Sequence, residues 1–143
     1  MATRNGSAVW KGDLKDGSGD LQVGEGVFEG AYSHSSRFED GQGTNPEELI
    51  AAAHAACFSM ALGNILSQSG HPGESVETTA KVSLRRGDDG PEIGTIELVT
   101  TGRVPGIDQE HFAKHAEEAK AGCAVSKALA GVGEITLTAT LED

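Results

Sequence analysis

Two cysteines are the residues of this chain whose side chains could act as nucleophiles. Cys57 lies in the apolar stretch HAACFSMAL, and Cys123 lies 66 residues later in AGCAVSKAL. A thiol attacks as its thiolate, which needs a nearby cation or a helix N-terminus to stabilise it. Cys123 begins a predicted helix and has such a terminus, whereas Cys57 lies in mid-helix and needs a cation. The residue pattern does not decide which thiol is reactive, and either could be a small packed core residue.

Two charged residues could activate a thiol. Arg37 could stabilise a thiolate and polarise a bound oxygen, or it could pair in its loop with Glu39 or Asp40. Glu47 could hold the Arg37 guanidinium in a bidentate ion pair, or it could only stabilise a first helical turn. Glu47 precedes Cys57 by ten residues, which is about 15 Å along a helix. We therefore expect Arg37 to bridge part of that distance, or Glu47 to serve the Cys57 of a second subunit.

The five histidines suggest no further site. His54 lies one helical turn before Cys57 and could act as a general base, but a satisfied core histidine is the interpretation that we favour. His111 and His115 have i, i+4 spacing on one helix, yet no third ligand is evident, so we expect no metal site. No GxGxxG or GxxxxGK(S/T) loop and no GxSxG motif occurs, so we expect no cofactor.

Length and charge narrow the class of protein. The chain has 143 residues, which predicts one domain over 1–143. It has 22 acidic and 11 basic residues and a formal charge of −11. Such a chain repels nucleic acids and anionic membranes, so we expect neither as a partner. MATRNGSAVW has no apolar run typical of a signal peptide, and two distant cysteines suit a reducing compartment, so we expect a cytoplasmic protein.

Turn and capping residues define the first elements. Glycine-broken alternation predicts short strands within 7–12 and 20–31, followed by a polar connection over 33–44. Asn45 is a good N-cap for a long helix, and Gly70 suits its end.

The second half of the chain predicts more strands and two helices. Alternation over 75–86 and 92–105, with a slip in the second run, predicts a long β-hairpin. An amphipathic helix is predicted from Asp108, a short helix over 123–131, and a last strand over 134–143. This order predicts an α+β fold with a mainly antiparallel sheet.

The long helix carries no charged residue between Glu48 and Glu74. A membrane span needs about 20 strongly apolar residues, whereas this stretch includes His54, Ser59 and Asn64. A helix that is apolar all round must be surrounded by protein. One sheet cannot cover it, so we predict a homo-oligomer in which a second subunit completes the burial.

Several stretches together resemble the osmotically inducible protein C (OsmC) branch of the OsmC/Ohr family of thiol peroxidases. They are TNPEELIAAAHAACFSMAL, RFEDGQGTNPEE, RVPGID and AKAGCAVSKAL, and the resemblance spans nearly the whole chain. It implies an OsmC-like fold, in which antiparallel sheets wrap around central helices in an intertwined homodimer. It also implies that Cys57 is the peroxidatic thiol, Cys123 the resolving thiol, and Arg37 with Glu47 the activating pair.

The resemblance implies a catalytic cycle without a cofactor. The Cys57 thiolate would attack an organic hydroperoxide and become a sulfenic acid, and Cys123 would convert that acid to a Cys57–Cys123 disulfide. A dithiol reductant, such as a lipoylated protein, would then reopen it. One departure is Ala124, which stands where the family often has proline.

The apolar neighbours of Cys57 in the helix, among them Ala53, Phe58 and Met60, favour alkyl or aryl hydroperoxides as substrates. Two alternatives to a peroxidase are a thiol redox sensor and a non-catalytic stress protein that binds small apolar ligands. Many turnovers per subunit would distinguish the enzyme from both.

Overall fold

The computed structural model describes all residues, Met1–Asp143. The chain forms two compact units, Met1–Leu49 and Ile50–Asp143, and their boundary lies within the longest helix. The prediction of one domain over 1–143 stays a prediction. The strands are β1 (Gly6–Lys11), β2 (Ser18–Val23), β3 (Phe28–Tyr32), β4 (Ser75–Gly87), β5 (Gly90–Arg103) and β6 (Glu134–Leu141). The helices are α1 (His34–Phe38), α2 (Pro46–Gln68), α3 (Gln109–Gly122) and α4 (Ala124–Ala128).

The first unit contains a three-stranded antiparallel meander in the order β1-β2-β3. The predicted strand region 20–31 is two strands separated by a turn over residues 24–27. Gly24 and Gly26 adopt φ values of +63° and +89°, which other residues rarely adopt, so these glycines allow the turn.

The polar connection predicted over 33–44 is wrong in part, because it contains helix α1. The Ser33 hydroxyl accepts a hydrogen bond from the Ser36 N–H at 3.1 Å, and the Ser33 N–H donates to the Ser36 hydroxyl at 2.8 Å. This is a capping box with serine at both positions. The usual sequence pattern has Glu or Gln at the second position, so the serine-rich stretch suggested a loop.

The second unit is built on the predicted β-hairpin. β4 and β5 pair antiparallel from Ser75↔Arg103 to Gly87↔Gly90. The register shifts where Ser83 pairs with Thr95 and Leu84 with Ile93, which leaves Gly94 unpaired. The second run therefore slips, as predicted, but the slip is a bulge at Gly94, whereas the alternation placed it between Thr95 and Ile96.

Strand β6 departs from the predicted antiparallel arrangement, because it pairs parallel with β5. Both helices of the connection, α3 and α4, lie between the two strands in sequence. A crossover of that length is what parallel pairing requires. The α+β class is correct, and the sheet of the second unit is mixed, in the order β4-β5-β6.

Helix α2 starts at the predicted cap, since the Asn45 side chain accepts a hydrogen bond from the Glu48 N–H at 2.9 Å. After its end, Gly70 has φ +88°. The chain buries one stripe of α2, and another apolar stripe is exposed, where Met60 is 78% accessible. A single chain therefore does not surround α2 with protein on all sides, as the sequence led us to expect. The buried stripe consists of His54, Phe58, Leu62 and Leu66, and the exposed residues include Ala52, Ala53, Ala56 and Met60.

By length and composition alone, α2 could also cross a membrane. Its buried stripe belongs to the protein core, which supports the interpretation as a core helix. Ile96 and Leu98 of β5 and Phe112 of α3 complete much of this core. The Phe112 ring occupies the space that a Cβ atom on Gly102 would need, so glycine is required there.

Candidate active site

Arg37 and Glu47 form an ion pair in the first unit. Oε1 of Glu47 accepts hydrogen bonds from Nε of Arg37 at 2.9 Å and from Nη2 at 2.8 Å, and Oε2 lies 3.2 Å from Nε. Arg37 thus pairs with Glu47, while Glu39 lies near His34. The Glu47 carboxylate is largely buried, and such a carboxylate is costly without a cationic partner.

Short-range contacts position this ion pair. The carbonyl oxygen of Ser36 accepts a hydrogen bond from Nδ2 of Asn45 at 2.9 Å, and the Ser36 hydroxyl donates to the carbonyl of Thr44 at 2.7 Å. These bonds connect α1 to the start of α2. The guanidinium carbon of Arg37 also lies 5.3 Å from the centre of the Phe38 ring, a distance suited to a cation–π contact.

Cys57 and Cys123 come together in the second unit, although they are 66 residues apart in sequence. Both thiols are free, and they hydrogen-bond to each other. Cys57 lies in the middle of α2 and is partly exposed, whereas Cys123 is the N-cap residue of α4 and is 2% exposed. Two adjacent thiols can form a disulfide when an oxidant removes two electrons.

The fold raises the pKa of one thiol and lowers the pKa of the other. Burial raises the pKa of Cys57, and its hydrogen bond with Cys123 raises it further, against a smaller lowering by the N–H groups of Val125 and Ala124. Burial also opposes ionisation of Cys123. Hydrogen bonds from Cys57 and from the backbone and hydroxyl of Ser126 outweigh that burial, so the pKa of Cys123 is lowered.

His54 is a fully buried core residue, which is the interpretation that we favoured. Its Nε2 lies 2.7 Å from the Ser126 hydroxyl, and burial lowers its pKa and keeps the ring neutral. Sequence reasoning missed Ser126. The available signal was its position three residues after Cys123, in the first turn of a predicted helix.

The four predicted site residues therefore form two pairs, one in each compact unit. His111 and His115, which have the i, i+4 spacing of a possible metal pair but for which we expected no metal site, have other neighbours. His111 instead contacts the N-cap residue Asp108, with Nδ1 2.6 Å from Oδ1. No group of three or more His, Cys, Asp or Glu residues has a geometry that could hold a metal ion.

A family model, curated relatives and a solved structure that resemble this chain all have related descriptions. The family model described as OsmC-like protein matches residues 39–138. Peroxiredoxin OsmC of Escherichia coli (strain K12) is 48% identical over 135 residues, covering 94% of this chain and 93% of that protein. Organic hydroperoxide resistance protein-like 1 of Staphylococcus saprophyticus is 31% identical, with 88% and 89% covered. The crystal structure of an organic hydroperoxide resistance protein from Elizabethkingia anophelis matches with a TM-score of 0.78 and 26% identity, covering 99% of this chain and 98% of that one.

Proposed function

Because the chain belongs to the family of OsmC-like proteins, we propose that it is a thiol peroxidase that reduces organic hydroperoxides to alcohols in defence against oxidative and osmotic stress. A relative with 48% identity is named a peroxiredoxin, and another relative is named for resistance to organic hydroperoxides. The observation that carries the proposal is the hydrogen-bonded pair of free thiols formed by Cys57 and Cys123.

Exposure supports Cys57 as the peroxidatic thiol. A hydroperoxide must reach the attacking sulfur, and Cys57 is the more accessible of the two thiols. Cys123 is buried against it and suits the resolving role. The Cys57 thiolate would attack the outer oxygen of the hydroperoxide and release the alcohol, and Cys123 would convert the resulting sulfenic acid to a disulfide and water.

The raised pKa of Cys57 supports a role for Arg37. A thiol whose pKa is raised needs a nearby cation to react as a thiolate near neutral pH. Arg37 would supply that charge and would also stabilise negative charge on the peroxide oxygens as they separate. Glu47 would fix the guanidinium plane through the contacts to Nε and Nη2.

The proposed state is a homodimer in which the exposed stripe of α2 packs against a second subunit. Met60 is 78% exposed at the centre of this stripe, and covering such a side chain is favourable by about 1.5–3 kcal/mol. The neighbouring alanines allow close approach of another helix. An apolar surface completed in this way near Cys57 would favour alkyl or aryl hydroperoxides.

Regeneration requires a dithiol, and a lipoylated protein is one such reductant. It would supply two electrons by thiol–disulfide exchange at the Cys57–Cys123 bond. Two free thiols and the absence of any other cysteine suit a reducing cytoplasm.

Intact mass spectrometry after one equivalent of cumene hydroperoxide tests the proposal. We expect loss of two hydrogens in the wild type, one added oxygen in Cys123→Ser, and no rapid change in Cys57→Ser. An unmodified wild type would contradict the peroxidase. Oxidation without repeated turnover in excess dithiol would favour the redox sensor instead.

Sedimentation of wild type and Met60→Glu tests the dimer. We expect a dimeric wild type and a folded variant that dissociates, because a charge would be buried in the apolar contact. Leu14→Glu, a substitution at an exposed apolar side chain of the first unit, is the control. A monomeric wild type at micromolar concentration would contradict the proposal.

A further inference from the structure

His54 and Ser126 form a buried hydrogen bond beside the thiol pair, and the cycle described above gives this bond no role. Nε2 of His54 lies 2.7 Å from Oγ of Ser126. The histidine is fully buried, and the serine is 8% exposed. The two residues are 72 positions apart, so the bond connects α2 to α4 only in the folded chain.

The second ring nitrogen indicates the direction of this bond. Nδ1 of His54 is buried and has no hydrogen-bond partner. A proton on Nδ1 would leave a buried N–H group without an acceptor, which is rarer in proteins than an unpaired acceptor. A neutral ring with its proton on Nε2 leaves only a lone pair unsatisfied. In that tautomer His54 donates its proton to the Ser126 hydroxyl oxygen.

This direction leaves the proton of Ser126 available to Cys123. Cys123 is the N-cap residue of α4, and Ser126 is the third residue of that helix. The backbone N–H and the hydroxyl of Ser126 both lie near the Cys123 sulfur and favour its thiolate, although Cys123 makes no capping hydrogen bond through its side chain. A hydroxyl that accepts from His54 is therefore oriented to donate to a Cys123 thiolate.

We propose that His54 and Ser126 are positioning residues for the resolving step, in which His54 orients the Ser126 hydroxyl and Ser126 holds the Cys123 thiolate ready to attack oxidised Cys57. This inference rests on the proposed peroxidase function. It assigns a step to a histidine that otherwise only fills the core.

The chemistry of the step needs no additional oxidant. The hydroperoxide has already oxidised Cys57 to the sulfenic acid and left as the alcohol. The Cys123 thiolate attacks the Cys57 sulfur, an S–S bond forms, and the S–O bond breaks. Hydroxide leaves and takes a proton from solvent to become water. The Ser126 hydroxyl keeps its proton throughout. Its hydrogen bond to Cys123 weakens as the sulfur loses its charge.

Other groups near this turn could also influence Cys123. Ser126 lines an open cavity of about 320 Å³ between α3, α4 and β6. The variants of Ser126 described below leave the surrounding charged and titratable groups unchanged. These groups are Glu117 and Lys120 of α3, Lys127 of α4, and Cys57 and His54 of α2.

Single-turnover mass spectrometry with one equivalent of cumene hydroperoxide separates the two steps of the cycle. In Ser126→Ala we expect the sulfenic acid at Cys57 to form without slowing. We expect the disulfide to form about tenfold more slowly near neutral pH, because a hydrogen bond to a charged sulfur is lost. Without this donor the pKa of Cys123 rises, so the deficit should shrink as the pH increases.

Further variants of Ser126 and His54 test whether His54 acts on Cys123 through the Ser126 hydroxyl. Ser126→Thr keeps the hydroxyl and should restore the disulfide step. His54→Phe should slow that step, and His54→Gln, which keeps an N–H donor, should slow it less. Ser59→Ala is the matched control, because it removes another hydroxyl hydrogen bond from α2, the 2.8 Å bond to Thr78, and should change neither step.

Three outcomes are distinguishable. An unchanged disulfide step in both Ser126→Ala and His54→Phe would overturn the inference. Equal slowing of both steps, not restored by Ser126→Thr, would also overturn it, since that is the result of a purely structural role. A wild type that hydroperoxide does not oxidise would instead contradict the proposed function.

Discussion

Cys57 and Cys123 hydrogen-bond to each other, yet the fold gives them different properties. Cys57 is the more accessible thiol, and burial raises its pKa. Cys123 is almost completely buried, and hydrogen bonds from Cys57 and from the first turn of α4 lower its pKa. The sulfur atom that is more accessible to solvent is therefore not the one with the lower pKa.

This difference shows why two adjacent thiols are not sufficient for a peroxidase. Coupled thiols lose their first proton as a pair, and the negative charge then rests where it is best stabilised. In the isolated chain that position is Cys123. A hydroperoxide, however, must meet the charge on Cys57. A cation that draws the charge to Cys57 is needed, and Arg37 is our candidate.

The largest effect is expected from Arg37→Ala. Loss of the guanidinium should slow oxidation of Cys57 by cumene hydroperoxide about 100- to 1,000-fold, as when an oxyanion donor is removed. Stopped-flow measurement of the sulfenic acid in a Cys123→Ser background would give the rate. Arg4→Ala is the control, since Arg4 is exposed and its guanidinium donates a hydrogen bond to the carbonyl of its neighbour Thr3. A rate within threefold of wild type would mean that another group activates Cys57.

Oxidation should stabilise the folded chain, because the disulfide closes a long loop while the thiols are already adjacent. We expect the free energy of unfolding to rise by about 2–4 kcal/mol relative to the reduced protein. Urea denaturation of both forms measures the difference, and peroxide-treated Cys123→Ser should not gain it. A destabilised disulfide form would show that the two sulfur atoms must leave their positions in this structure to form the bond.

Titration of the two single-cysteine variants tests the order of acidity directly. A lowered pKa means that the Cys123 thiolate forms at lower pH than an ordinary cysteine, and a raised pKa means that the Cys57 thiolate forms at higher pH. With Arg37→Ala in both variants, which removes the proposed cation, ultraviolet absorbance of the thiolate should therefore appear at lower pH in Cys57→Ser than in Cys123→Ser. The reverse order would indicate that a cation other than Arg37 outweighs the effect of burial on Cys57.

Ala124→Pro should have the smallest effect. Cys123 has φ −61° and ψ 130°, which suits a residue before proline. The proline fits this backbone, but it replaces an N–H that interacts with Cys57, so we expect little net change in the free energy of unfolding. The Ala124 N–H lowers the pKa of Cys57. Proline has no N–H, so the pKa of Cys57 should rise and its oxidation should slow about threefold. Ala124→Ser keeps the N–H and should match the wild type in peroxide rate.

Much of the fold could be predicted because its signals are local. The cap at Asn45, the end of α2 near Gly70 and the β4–β5 hairpin all depend on residues close in sequence. Helix α1 was missed because its capping box uses Ser36 instead of Glu or Gln. The parallel pairing of β6 was missed because alternation identifies a strand without giving its direction.

The candidate site also has one part that local sequence could predict and one part that it could not. Arg37 and Glu47 are ten residues apart, so a pair between them could be anticipated from the chain. The proximity of Cys57 and Cys123 depends on tertiary packing, and only the family resemblance implied it. The His54–Ser126 bond spans α2 and α4, so no pattern in the chain could have predicted it.

The parallel β5–β6 pair has a consequence for how the chain folds. Cys123 lies in the connection between these strands, and that connection is closed only when β6 joins the sheet. Contacts distant in sequence form late, because the entropy of closing the loop must be overcome first. We therefore expect the thiols to meet only after the last strand has docked, so that premature oxidation during synthesis is disfavoured. Pulsed thiol labelling during refolding, alongside hydrogen exchange of β6, would show whether the two events coincide.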